Sequence, residues 1–148
     1  MRVYLDVCCL NRPFDDQSQS RIRLEAEAII LILARLQARE WEWWSSEAVE
    51  FEVSQSPDGD RRRRVGLLAG CAHQVAQVTP REVQRAQTLQ REGVAPLDAL
   101  HVACAEQAKV DILLTTDDQL CRVARRLGDK LGVRVDNPLA WLAEVMPR

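Results

Sequence analysis

The sequence predicts an α/β fold in which five parallel strands are covered by helices on both faces. Two observations predict it. Short strand-like runs alternate with stretches of helical period along the whole chain, and neither a repeat, a low-complexity tract nor a long linker divides it. With 148 residues, 47% of them apolar, the chain is long enough for one buried core, so residues 1–148 are read as a single domain.

Arg2 to Leu5 is a β-branched and aromatic run that reads as a buried strand, ending at Asp6 and turning out of the sheet at Asn11-Arg12-Pro13. From Ser20 to Arg39, the residues Ile22, Ala26, Ile29, Ile30, Leu33 and Leu36 recur at helical spacing, with Ser18 or Ser20 available as a cap. Trp41 to Ser45 reads as a second strand. Ser46 to Val53 follows as a helix with a serine cap and Glu47 in its first turn, and Asp60 to Gly70 as a basic helix. Between them Ser54 to Gly59 is a polar break with turn chemistry at Pro57, Asp58 and Gly59.

His73 to Val78 is the third strand. Prolines open the next two helices, Pro80 to Arg91 and Pro96 to Ala108, at positions where a missing N–H costs nothing. Asp111 to Thr115 is a strand, Asp117 to Leu127 a helix ended by Gly128, Val133 to Val135 a strand, and Pro138 to Val145 a closing helix. In such folds ligands bind beyond the carboxyl ends of the strands, near a topological switch point.

Composition excludes several classes. The run Ala28 to Ala34 is far short of the roughly 20 residues that a membrane-spanning helix needs. Asp6 interrupts the N-terminal apolar stretch, so the expectation is a cytoplasmic protein without a membrane partner. Five cysteines, Cys8, Cys9, Cys71, Cys104 and Cys121, show no CxxC spacing, which argues against disulfides and structural zinc. The net charge is −2, yet basic residues cluster at Arg61 to Arg64 and at Arg122, Arg125, Arg126 and Lys130. A nucleic acid would therefore be held by local fields rather than by the charge of the whole molecule.

Several carboxylates fall where the sheet would present them. Asp6 closes the first strand, Asp117 follows the strand ending Leu113-Leu114-Thr115, and Glu52 and Asp98 lie on helices able to lean over the same edge. Asp98 and Asp117 also suit helix first turns, and Glu47, Glu50 and Glu52 suit a solvated face. Asp6 is harder to explain structurally, because an aspartate at the end of a buried strand destabilises the fold unless paired or liganded. Two unit charges 4 Å apart repel by about 4 kcal/mol at an effective dielectric near 20, and a divalent cation relieves that crowding. Oxygen ligands without a paired His or Cys set favour Mg²⁺ or Mn²⁺. Such an ion activates water against a phosphodiester with no side-chain nucleophile, and the chain has no GxSxG, Walker A, GxGxxG or HExxH motif.

The motifs in their order resemble the PIN-domain family of metal-dependent ribonucleases, and within it the VapC-like toxins of toxin–antitoxin pairs. The resemblance rests on Val3-Tyr4-Leu5-Asp6, on Ser45-Ser46 with the glutamate-rich helix to Glu52-Val53, on Pro96-Leu97-Asp98-Ala99-Leu100-His101-Val102-Ala103, on Leu113-Leu114-Thr115-Thr116-Asp117 and on Val135-Asp136-Asn137-Pro138. It implies a three-layer α/β/α sandwich and metal-binding aspartates at Asp6, Asp98 and Asp117. One glutamate of the 47–52 helix completes the set; Glu52 is chosen from its place after Ser45-Ser46, with Glu50 and Glu47 as alternatives. It further implies RNA as substrate, Mg²⁺ or Mn²⁺ as cofactor, an antitoxin protein as partner and a homodimer.

The chain departs from the family where many relatives carry a small hydroxyl or amide two residues after the first aspartate; here the residue is Cys8. A thiol is a poorer hydrogen-bond partner near a hard cation, so either Asn11 or backbone compensates or activity is reduced. A non-catalytic PIN-like module that binds RNA or protein is the alternative reading. An aspartyl phosphatase wants a second aspartate at position 8, and a receiver wants an acidic pair and a late lysine, which Asp6 alone does not match.

Other features are weighed against their structural explanations. His101, three residues after Asp98, could touch a substrate phosphate, but its apolar neighbours favour the core; His73 is read as structural. Arg61 to Arg64 fit an RNA backbone, an acidic partner or a solvated helix start about equally. Of Trp41, Trp43 and Trp44, the last two point to opposite faces of a strand, one into the core and the other either core or partner surface.

Overall fold

The computed structural model describes residues 1–147, and these form one five-stranded sheet with helices packed on both sides. In chain order the elements are β1 (Arg2–Leu5), α1 (Val7–Asn11), α2 (Ser20–Gln37), β2 (Glu42–Ser46), α3 (Glu47–Ser54), α4 (Gly59–Ala69) and β3 (Gln74–Ala76). They continue with α5 (Pro80–Arg91), α6 (Pro96–Gln107), β4 (Ile112–Leu114), α7 (Asp118–Leu127), β5 (Arg134–Asp136) and α8 (Pro138–Val145). The strand order is β3-β2-β1-β4-β5 and every pairing is parallel. The predicted α/β/α sandwich is the fold observed.

A parallel sheet buries both faces, so its central strands must be apolar on both sides. β1 meets this demand with Val3, Tyr4 and Leu5 all buried, and β4 with Ile112, Leu113 and Leu114. The register pairs Tyr4 with both Trp44 and Leu113, and Leu5 with Leu114. Trp43 is buried, whereas Trp44 on the opposite face is only half-buried and carries the Arg2 guanidinium 5.4 Å from its ring. Trp41 packs edge-on against the buried Trp141, their centroids 4.9 Å apart. Each fully buried apolar side chain of this set contributes about 1.5–3 kcal/mol.

From β1 the chain steps outward through β2 to β3, then returns to β4 on the other flank of β1 and continues to β5. That reversal creates a switch point between β1 and β4, where the loops leaving two adjacent strands diverge. Right-handed crossovers put α2, with α8 packed on it, on one face and α5, α6 and α7 on the other. Over the carboxyl edge of the sheet α3 reaches α6. Asp6, Glu52, Asp98 and Asp117 all lie near that edge because each follows a strand or rides a helix that passes over it.

Side chains close the helix ends there. Ser46 caps α3, Asp58 α4, Asp117 α7 and Asn137 α8, each accepting from backbone N–H groups of the first turn. The expected serine cap of α2 is not used: Gln19 precedes the helix and makes no side-chain cap bond. The start of α2 is fixed instead by the buried Glu25, which receives Arg12, Arg21 and Asn137. α1 stands where the sequence predicts only a turn; five residues are too few for periodicity to reveal a helix. Gly128 ends α7 at φ +52°, a conformation that side chains resist. No helix among the described residues is long and apolar enough to cross a membrane.

Candidate metal centre

Asp6 sits at the carboxyl end of β1 with 3% of its surface exposed, and both oxygens of its carboxylate accept hydrogen bonds. Its Oδ1 accepts the Val7 N–H at 2.8 Å as the cap of α1, and its Oδ2 accepts the Thr115 hydroxyl at 2.8 Å. Those charge-assisted bonds offset much of the desolvation cost that makes an isolated buried carboxylate untenable. Thr115 stands just beyond β4, so the bond spans the switch point. The Asp117 N–H donates to the same hydroxyl at 3.1 Å, which ties the loop carrying the late aspartate to the early one.

Cys8 is engaged as well. Its thiol lies 3.3 Å from Asp6 Oδ2 and from Thr115 Oγ1, and it accepts the Thr116 N–H at 3.3 Å. Of the two compensating donors expected, Asn11 or backbone, the backbone N–H of Val7 serves, and the Thr115 hydroxyl adds a donor that the sequence did not suggest. Asn11 turns away, its amide donating to the Val7 carbonyl at 3.1 Å within α1. A threonine beside an aspartate in the next strand leaves no sequence signal, because the two are 109 residues apart.

The three glutamates of α3 separate by helix geometry. Glu47 accepts the Val78 N–H at 2.7 Å, in the link from β3 to α5, and Glu50 is exposed. Glu52 faces inward, and its Oε1 lies 2.7 Å from His101 Nε2. The same nitrogen is 3.6 Å from Asp6 Oδ1, so ligand atoms of Asp6, Glu52 and His101 all lie within 4.8 Å of one another.

His101 takes the buried position that its apolar neighbours favour, but both ring nitrogens face polar partners. It is fully buried among apolar neighbours, and its Nδ1 lies 2.7 Å from the Tyr4 hydroxyl. Burial disfavours its protonated form, but the Glu52 hydrogen bond and the charges of Asp6, Glu52 and Asp98 outweigh this and hold its pKa above the ordinary value. The signal in the sequence is its spacing of three from Asp98, which sets the two side chains on neighbouring helix faces.

Asp98 lies in the first turn of α6, half-buried, with no side-chain hydrogen-bond partner among the described residues. Burial, reinforced by the charges of Asp6, Asp117 and Glu52 and opposed by His101, pushes its carboxyl up to about 7. A cavity of about 90 Å³ lies between it and Asp117, bordered by Gly93, Gln119 and Leu120. Asp117 spends only Oδ1 on capping α7, accepting Gln119 N–H at 2.9 Å and Leu120 N–H at 3.3 Å. The fold thus puts Asp6 and Glu52 in one tight cluster with His101, and couples Asp98 to them and to Asp117 through their charges.

This donor set suits a hard divalent cation. Carboxylate oxygens predominate, burial and then their mutual repulsion raise the Asp98 carboxyl, and a positive ion relieves that repulsion. A PIN domain family model matches residues 3–126. The chain belongs to the PIN domain family. A chain of the crystal structure of VapBC2 from Rickettsia felis bound to a DNA fragment from their promoter shares the fold of this PIN domain. That likeness has a TM-score of 0.58 at 13% identity, over 93% of this chain and 98% of the other. None of the curated protein sequences matches this one.

The remaining polar features of the PIN domain are mostly internal. Arg61 pairs with Asp15 and donates to the Phe14 carbonyl, fastening α4 to the segment after α1. Arg63 and Arg64 are exposed and pair with Asp60 on their own helix. His73 continues the β2 edge, accepting the Trp43 N–H at 2.9 Å through Nδ1, the structural part expected of it.

Proposed function

We propose that this PIN domain is a divalent-cation-dependent endoribonuclease acting as a VapC-like toxin, with Asp6, Glu52, Asp98 and Asp117 holding one or two Mg²⁺ or Mn²⁺ ions. The observation that carries the reading is the meeting of Asp6 and Glu52 at the switch point, with the Asp98 carboxyl raised by burial and by the charges of its acidic neighbours. When bound, such an ion supplies water of lowered pKa and stabilises charge that develops on a phosphodiester.

The protein's own groups do the positioning. Asp6 is held rigid by Val7 and Thr115, and Asp117 by the first turn of α7, so neither carboxylate needs to reorganise. Asp98 can retain a proton at neutral pH while the acidic cluster is uncompensated. Beside Glu52 a depression bordered by Gln55 and Ser56 offers an amide and a hydroxyl to the sugars and phosphates of a single strand. An antitoxin partner and a homodimer belong to the same proposal, and the likeness to a chain from a VapBC2 complex supports the first.

The test is cleavage of a single-stranded RNA by purified protein with Mn²⁺ or with chelator. We expect internal cuts only with the cation, and none from Asp6→Asn at unchanged helix content. Full activity in Asp6→Asn freed of contaminating nuclease would overturn the reading. RNA binding without any Mn²⁺-dependent cleavage would favour a non-catalytic module.

A further inference from the structure

Glu52 differs from the other acids in how it is held. Asp6 and Asp117 each accept backbone N–H groups that fix their carboxylates. Glu52 sits on the last full turn of an eight-residue helix, its side chain 32% exposed, and its one hydrogen-bond partner among the described residues is His101. A side chain with three rotatable bonds on a short helix has many rotamers, and without that bond its carboxylate would roam.

Both nitrogens of His101 are committed, and the partners form a closed circuit. Ser46, the cap of α3, accepts the Val49 N–H at 3.2 Å and lies 2.6 Å from the Tyr4 hydroxyl. Tyr4 lies 2.7 Å from His101 Nδ1, and His101 Nε2 lies 2.7 Å from Glu52. The circuit leaves α3 at its cap, crosses β1 and α6, and returns to α3 six residues later.

One assignment of protons satisfies every member in a single direction. Val49 N–H donates to Ser46, Ser46 O–H to Tyr4, Tyr4 O–H to His101 Nδ1, and His101 Nε2–H to Glu52. Each hydroxyl then gives one bond and accepts one, and the imidazole, when neutral, is the Nε2–H form. Bonds aligned in this way polarise one another, and the chain ends on a carboxylate.

We propose that His101 is a positioning residue: held in its Nε2–H form by Tyr4 and Ser46, it fixes the Glu52 carboxylate toward Asp6 and so sets the affinity of the site for its cation. The inference rests on the metal reading above and deepens it. His101 acts through Glu52. A donor behind a metal-binding carboxylate is worth about 10–100-fold in metal affinity.

The test measures Mn²⁺ binding by calorimetry and by loss of the free-ion electron paramagnetic resonance signal, alongside melting in chelator. His101→Leu keeps an apolar filler and removes the donor; we expect Mn²⁺ affinity to fall about 10–100-fold. His101→Gln retains an N–H and should recover part of that loss. Tyr4→Phe removes a single buried oxygen; we expect it to fold even if His101→Leu does not, to weaken Mn²⁺ binding several-fold and to turn the single Nε2–H tautomer, read by long-range ¹H–¹⁵N correlation, into a mixture. Wild-type Mn²⁺ affinity in folded His101→Leu, or in Tyr4→Phe should the first not fold, overturns the inference while leaving the metal reading intact. A wild-type protein that takes up no Mn²⁺ overturns both.

Discussion

The Thr115 hydroxyl donates to Asp6 Oδ2 at 2.8 Å and accepts the Asp117 N–H at 3.1 Å, so one side chain at the end of β4 holds two acids from opposite ends of the sequence in register. The parallel pairing of Leu5 with Leu114 makes this possible, because it brings the two strand ends level. The backbone leaving β1 through Asp6 and the backbone leaving β4 through Asp117 then diverge around a shared polar atom.

Thr115→Val keeps the shape and deletes the hydroxyl. Asp6 loses its strongest side-chain donor, which costs about 1–3 kcal/mol of stability for an unsatisfied buried acceptor. We expect Mn²⁺-dependent cleavage to drop at least about 10-fold, while Thr115→Ser stays near wild type. Denaturant melts in chelator and initial cleavage rates read the two effects separately.

Asp98→Asn tests the cost of ionising a partly buried carboxyl among acidic neighbours. The Asp98 carboxyl is raised to about 7 in the folded protein against its ordinary value of 3.8, so folding disfavours its ionised form. By linkage, this group's penalty is absent below pH 4, grows as the pH rises toward 7, and is fully present above it. In chelator, Asp98→Asn should therefore stabilise the protein at pH 8, by roughly 2 kcal/mol once solvent screening of this half-buried group is allowed for, and hardly at all at pH 4. Thermal melts at both pH values check it, and Mn²⁺ should stabilise the wild type at pH 8 more than the variant.

Cys8→Ser exchanges a weak donor for a strong one beside Asp6 Oδ2. Because Thr115 already satisfies that oxygen, the gain is bounded: we expect unchanged folding and a rise of no more than about 10-fold in Mn²⁺ affinity, one donor's worth. Calorimetric titration measures it. A fall in affinity would mean that the thiol itself matters to the site.

Glu25→Ala removes the buried carboxylate that receives Arg12, Arg21 and Asn137. Breaking a buried charge network by deleting one partner costs about 3–5 kcal/mol. Arg21 also grips Asp118 with two bonds of 2.7 Å, so the loss reaches the start of α7 next to Asp117. Urea melts should show the destabilisation in chelator and Mn²⁺ alike.

The sequence alone determined the architecture. Strand-length apolar runs such as Arg2–Leu5 and Ile112–Leu114, proline at the starts of α5, α6 and α8, and Gly128 after α7 are local signals, and they placed every strand and every helix but the short α1 within a residue or two. It also named Asp6, because a carboxylate closing a buried strand has a cost visible from its neighbours alone. Only the tertiary structure decided which glutamate faces inward, that Thr115 rather than Asn11 supports Asp6, and that His101 joins Tyr4 to Glu52. Those are contacts between residues 49 to 109 positions apart, set by strand order and helix rotation, and no local pattern encodes either.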